Sequence, residues 1–202
     1  MKEDAGIIVQ EALRMRQTVE TLLEFWRPTA QSEEPVDVTG LMRELAAACA
    51  EKLESRGVRL VVQAGKEVAA VRGNRDRLRQ MMEHLLNNAA QSLAGVAGAT
   101  AGEERVIRVS VSVSGSADGE RVHLVVSDTG PGFVQPGRVF EPGDSMGLGL
   151  SVCYGIVHEY GGEISAFNLH PHGAAVAVEL PVDVAQKKSE MVAGERAYSA
   201  SV

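Results

Sequence analysis

The stretch EHLLNNAAQS, residues 83–92, places polar side chains within a segment that otherwise reads as an apolar helix. His84, Asn88 and Gln91 follow at intervals of four and three residues, so a helix carries them on one face. Burying such polar side chains on a helix that packs into a core costs free energy unless they contact polar groups. The carbonyl oxygen of Asn88 is a suitable hard ligand for Mg²⁺, which in turn binds phosphates. The stretch therefore predicts a helix whose polar face binds a polar ligand.

Three further segments follow in a fixed order along the chain. DTGPG, residues 128–132, comes straight after a predicted strand, and its glycines let the backbone approach a planar ligand. The Asp128 carboxylate can accept a hydrogen bond from an exocyclic amine. FEP, residues 140–142, comes next, and GLGLS, residues 147–151, opens a helix whose free N–H groups favour a phosphate. Each segment is a weak signal alone, because Asp and Gly are common in turns, but the four together indicate a nucleotide site.

Hydrophobic periodicity predicts the surrounding elements. Helices are expected at 5–27, 39–56, 74–94 and 149–160, and strands at 58–63, 68–71, 106–113, 121–127, 163–167 and 174–180. A sheet that is apolar on one face and interspersed with helices gives a two-layer α/β sandwich of about five strands and three helices. One long amphipathic helix, 5–27, precedes this sandwich.

Composition narrows the class of protein. The chain has 202 residues, which suffices for one full domain with flanking pieces. A net charge of −7 argues against broad nucleic-acid binding, which needs a basic face. Cys49 and Cys153 lack metal-site spacing and read as reduced thiols of a cytoplasmic protein. No run of 18 apolar residues occurs, so no membrane contact is expected from this chain, although it could be the cytoplasmic part of a membrane-bound sensor.

The four segments resemble the N, G1, F and G2 boxes of the ATP-binding domain of sensor histidine kinases. The fold of that domain, the Bergerat fold, is shared with DNA gyrase B, MutL and Hsp90-type chaperones. The resemblance covers roughly residues 37–181 and includes the Gly161-Gly162 turn after the G2 helix. It implies a mixed sheet of about five strands, ATP and Mg²⁺ as ligands, and transfer of the γ-phosphoryl group to a histidine.

The resemblance also implies roles for single residues. Asn88 would bind the Mg²⁺ that bridges the phosphates, with Gln91 on the same face, and His84 would orient the attacking group or a water. Asp128 would recognise the adenine amino group, and the backbone of the loop would shape the adenine pocket and the hinge of the lid. The glycines concerned are Gly130 and Gly132, and the residues expected to close over the phosphates are Gly147, Leu148, Gly149 and Leu150.

The N-terminal helix carries an apolar residue at alternating intervals of four and three over nearly three heptads, so it needs a partner. It resembles the second helix of a dimerisation and phosphoacceptor hairpin, which implies a homodimer through residues 5–27. An ordinary amphipathic helix packed on the domain is the alternative. The expected division is 1–28 hairpin helix, 29–37 linker, 38–182 ATP-binding domain and 183–202 flexible tail. The implied partners are the phosphoacceptor domain of the same kinase and a response regulator.

Two departures from the family pattern leave alternatives open. The family's acceptor histidine precedes Glu or Asp on the first helix of the hairpin. In this chain His158 precedes Glu159, but it lies in the helix after the G2 box, so no histidine here stands in an acceptor motif. The acceptor histidine is therefore expected outside this chain. The lid is short, since only residues 143–146 separate the F and G2 boxes. A nucleotide-binding pseudokinase that signals through dimer contacts is the first alternative, and an ATP-hydrolysing relative or an anti-sigma-type serine kinase is the second.

Overall fold

The computed structural model describes residues 33–65, 69–94, 104–116, 119–141 and 148–183. Its elements are β1 (Glu34–Asp37), α1 (Val38–Glu54), β2 (Arg59–Ala64), β3 (Ala70–Gly73), α2 (Arg75–Ala94), β4 (Val106–Ser116), β5 (Gly119–Asp128), a 3₁₀ turn (Pro136–Arg138), α3 (Gly149–Glu159), β6 (Glu163–Asn168) and β7 (Ala174–Pro181). No helix of these ranges is long and apolar enough to span a membrane.

Five of the strands form one mixed sheet in the order β2-β4-β5-β7-β6. β2 runs parallel to β4, and the other neighbours are antiparallel. The hairpin of β4 and β5 remains paired up to Ser116 and Gly119, so both strands extend further toward their turn than the expected 106–113 and 121–127. The helices pack on one face of the sheet, which confirms the predicted two-layer α/β sandwich.

α2 is the central helix of the second layer. It begins after Asn74, whose Oδ1 accepts hydrogen bonds from the N–H groups of Asp76 and Arg77 at 2.9 and 3.1 Å and so caps the first turn. Its apolar residues recur every three or four positions and pack against β5 and α3. The buried ones are Leu78, Met81, Met82, Leu85, Leu86, Ala89 and Leu93. Each large one contributes roughly 1.5–3 kcal/mol by leaving water.

β1 corrects the expected linker at 29–37, because residues Glu34–Asp37 form a strand that pairs antiparallel with β3. Backbone pairing makes this polar stretch a strand, and Pro35 is tolerated because β1 lies at an edge. Asp37 then caps α1 by accepting a hydrogen bond from Gly40 N–H at 2.9 Å. The expected N-terminal helix, the short lid at 143–146 and residues 184–202 of the expected tail lie outside the described residues, so the rest of the domain division stays a prediction.

The turn between α3 and β6 requires glycine at both of its central positions, Gly161 and Gly162. Gly161 has φ of +67°, in the left-handed region. A Cβ on Gly162 would lie 2.4 Å from the carbonyl oxygen of Glu179 and 2.9 Å from Cγ1 of Val157. The turn therefore lets α3 pack directly on β7.

We predict that Gly162→Ala lowers the free energy of unfolding by about 1–3 kcal/mol, because the added methyl overpacks this contact. Gly137→Ala is the matched control, since a Cβ there meets nothing within 4 Å. Urea unfolding of both variants measures the difference, and equal midpoints would contradict the packing argument.

Candidate functional site

The C-terminal end of β5 carries a buried carboxylate. Asp128 is only 4% exposed. Its Oδ1 accepts two hydrogen bonds, from Gly130 N–H at 2.8 Å and from the Ser92 hydroxyl at 3.0 Å. Burial raises the pKa of Asp128 above its ordinary value, and the donors Gly130, Ser92 and the Ala174 amide oppose that rise by stabilising the charged form. The site thus holds a carboxylate against the cost of desolvation.

The glycines after Asp128 have no room for side chains. A Cβ on Gly130 would lie 2.2 Å from the Ser92 hydroxyl oxygen and 2.6 Å from Oδ1 of Asp128. Gly132 has φ of +87°, and a Cβ there would lie 2.9 Å from Oδ1 of Asn168. The loop therefore follows a path that only glycine permits at these two positions. The crowding accounts structurally for the glycines of the G1 box.

Asn168, at the end of β6, clamps this loop and was not identified from the sequence. Its Oδ1 accepts a hydrogen bond from Phe133 N–H at 2.7 Å, and its Nδ2 donates one to the Phe133 carbonyl at 2.9 Å. Both polar groups of the side chain are therefore used on one residue of the loop. A single Asn outside the boxes gives no sequence signal, because only the fold brings it beside residue 133.

The polar face of α2 looks toward the start of α3. His84 and Asn88 are half-buried, whereas Gln91 is exposed. A Cβ on Gly149 would lie 3.2 Å from Nδ1 of His84, so the N and G2 boxes are in contact. The N box also reaches the G1 box through Ser92 and Asp128. The structure thus brings three of the four boxes together around α2.

The first turn of α3 has features that fit an anion. No side chain of the described residues caps this helix at Leu148, so its first N–H groups lack a side-chain acceptor. The hydroxyl oxygen of Ser151 is buried without a hydrogen-bond partner among the described residues. The side chain of Leu150 lies in the core, which leaves only its backbone able to contact a ligand. Gly147 lies outside the described residues.

The described residues contain no group of three or more His, Cys, Asp or Glu side chains arranged for a metal ion. A magnesium ion at Asn88 would therefore need oxygen ligands from a bound phosphate. The donor set fits a metal that arrives with a nucleotide.

Comparison with known proteins identifies the family. A sequence model of the histidine kinase-, DNA gyrase B- and HSP90-like ATPases matches residues 73–184. The chain belongs to this ATPase family. The match includes α2, the buried Asp128 and the opening of α3, so the described site lies within the family's domain.

Sensor histidine kinases are among the proteins that this chain resembles. The chain is 30% identical over 190 residues to the sensor histidine kinase ZraS of Escherichia coli O157:H7, an alignment that covers 91% of this chain and 39% of ZraS. The histidine kinase ThkA in complex with the response regulator TrrA matches 90% of this chain and 51% of that chain, with TM-score 0.71 and 24% identity. Full-length ShkA in complex with AMPPNP matches 90% of this chain and 38% of that chain, with TM-score 0.67 and 23% identity. The two structures share the fold.

We predict that Asn168→Ala loosens the G1 loop, because the backbone of Phe133 loses both of its hydrogen bonds to the Asn168 side chain. Amide hydrogen exchange at Phe133 should accelerate by roughly five- to tenfold, the change expected for losing about 1–1.5 kcal/mol of local hydrogen bonding. Asn87→Ala, at an exposed position on α2, is the control. Unchanged exchange at Phe133 would show that Asn168 does not hold the loop.

Proposed function

We propose that this chain is the ATP-binding catalytic part of a two-component sensor histidine kinase. It would bind Mg-ATP and transfer the γ-phosphoryl group to a histidine outside this chain. The observation that carries the proposal is the buried Asp128, which lies beside a loop with room only for glycine at positions 130 and 132 and faces the polar side of α2. Membership of the ATPase family and similarity to sensor kinases support it.

The adenine end of the site depends on the charge of Asp128. An ionised carboxylate accepts a hydrogen bond from the exocyclic amine of adenine, whereas a protonated one presents a donor to the same amine. Burial raises the Asp128 pKa, and the donors Gly130 and Ser92 oppose that rise and so favour the acceptor form.

The phosphate end depends on α2 and α3. Asn88 would share a Mg²⁺ with phosphate oxygens, and that ion supplies neutralisation of phosphate charge when it is bound. The uncapped N-terminus of α3 favours negative charge near Gly149. His84, beside Gly149, would orient the attacking group. The contribution of these residues is mainly positioning and electrostatic stabilisation.

The proposed partners follow from the same reaction. The acceptor would be a histidine in the phosphoacceptor domain of the same kinase, and the next acceptor a response regulator. The ThkA structure contains such a regulator, which supports the second partner. Because ATP is the proposed ligand, the cytoplasm is the proposed compartment. The chain spans 39% of the length of ZraS, so the signal that the whole protein senses lies outside this proposal.

We predict that calorimetry with ADP and AMPPNP detects binding that depends on Mg²⁺. Asp128→Asn should abolish binding, because the amide cannot provide a charged acceptor to the base. Asn88→Ala should remove the Mg²⁺ dependence, and Asn87→Ala, one residue away but exposed, should behave as wild type. If the wild-type protein binds neither nucleotide, the proposed function is wrong.

Asp128→Asn also tests how much the buried carboxylate lowers the free energy of unfolding. A raised pKa means that the folded protein binds the proton more tightly than the unfolded chain. The nucleotide-free protein therefore loses stability as pH rises from 3.8 through the raised value. We expect Asp128→Asn to be at least as stable as wild type at pH 7 in urea unfolding. A large loss of stability would instead mean that Asp128 is a structural residue.

Phosphotransfer is tested with a supplied acceptor. Incubation with radiolabelled ATP and a phosphoacceptor domain of a related sensor kinase should give acid-labile, alkali-stable phosphohistidine on that domain. The Asp128→Asn protein is the negative control and should transfer no phosphoryl group. Nucleotide binding without any transfer would favour a nucleotide-binding module that signals without catalysis.

A further inference from the structure

Ser92 lies on α2 one turn beyond Asn88, at the i+4 position of the same helix face. It is half-buried, and its hydroxyl donates a hydrogen bond of 3.0 Å to Oδ1 of Asp128. This bond joins the helix that carries the proposed magnesium ligand to the strand end that carries the proposed base-recognition residue. Gly130 N–H also donates to Oδ1 of Asp128, at 2.8 Å, and the backbone amide of Ala174 is a further donor to this carboxylate.

The Ser92 and Gly130 donors meet the same oxygen of the carboxylate. The terminal torsion of an Asp side chain is broad and is poorly fixed by rotamer preference alone. Two hydrogen bonds to Oδ1, one from the loop and one from α2, restrict that torsion. They leave Oδ2 as the oxygen that neither donor occupies.

Steric fit points to the same pair. A Cβ on Gly130 would lie only 2.2 Å from the Ser92 hydroxyl oxygen, so this hydroxyl fills the space that a side chain at position 130 would need. The glycine and the serine are therefore complementary. The hydroxyl packs between Gly130 and Asp128 and closes the gap between α2 and the G1 loop.

We propose that Ser92 is a positioning residue that orients the Asp128 carboxylate toward the nucleobase and ties the base-binding end of the site to the magnesium-binding helix. The proposal rests on the proposed nucleotide-binding role of Asp128. A residue that acts in this way affects recognition of the exocyclic amine more than it affects binding of the phosphates. Its effect should therefore depend on the base of the nucleotide.

The test compares ADP with inosine diphosphate, which lacks the exocyclic amine. Ser92→Ala should weaken ADP binding by about tenfold, the effect of losing one hydrogen bond to a charged group, and leave inosine diphosphate binding unchanged. Ser92→Thr, which keeps the hydroxyl, should retain most of the preference for ADP. Ser112→Ala, an exposed serine on β4, is the control and should match wild type.

A second measurement needs no nucleotide. Carbon-13 NMR titration of the Asp128 side-chain carboxyl should give a higher pKa in Ser92→Ala than in wild type or Ser112→Ala, because a donor to the charged form is lost. In Ser92→Ala, the loss of ADP binding on acidification should accordingly begin at a higher pH. Both shifts have the sign that a general packing defect would not produce.

Two results would overturn the inference. One is an unchanged Asp128 pKa in Ser92→Ala, and the other is an equal loss of affinity for ADP and inosine diphosphate. Failure of the proposed function gives a different pattern, in which the wild-type protein binds neither nucleotide. In that case the carboxyl titration still decides whether Ser92 acts on Asp128.

Discussion

Burial of the apolar face of α2 is the constraint on which the rest of the structure depends. Leu78, Met82 and Leu85 leave water only if the helix lies across the sheet and against α3. Since a helix has one orientation that buries such a stripe, its polar face is fixed at the same time. His84 consequently lies beside the start of α3, and Ser92 lies beside the end of β5.

The backbone around Asp128 is crowded, and this explains the composition of the site. A carboxylate in such a place is costly, and the two hydrogen bonds to Oδ1 of Asp128 offset part of that cost. Gly173, opposite, has φ of +116°, and a Cβ there would lie 2.4 Å from the backbone oxygen of Asp128. Glycines and short polar side chains are what fit around the charged group. The buried carboxylate and the crowding of the backbone around it are thus one feature of the fold.

The sequence was sufficient for the elements whose hydrophobic period is strong, such as α2 and the Val-Ser alternation of β4. It also placed Asp128 at the end of a strand, where the structure has it, because the apolar run of β5 leads directly into the G1 box. It could not reveal β1, since a short polar segment with a proline becomes a strand only through pairing with β3. Asn168 and Ser92 were missed as functional residues for a similar reason. Their partners lie 35 and 36 residues away along the chain, and no local period encodes such contacts.

The pairing of β1 with β3 has a mechanical consequence. β3 is hydrogen-bonded to the chain entering the domain at β1, and its Ala70 carbonyl accepts a bond from Asp183 N–H at 2.8 Å where the chain leaves β7. Arg72 of β3 also pairs with the Asp183 carboxylate at 3.4 Å. The described domain is therefore entered and left beside the same short strand, and the N–H of Val182 also donates to the Glu120 carbonyl of β5 at 3.0 Å. Tension applied between Glu33 and Asp183 would load β3 and the start of β5 together.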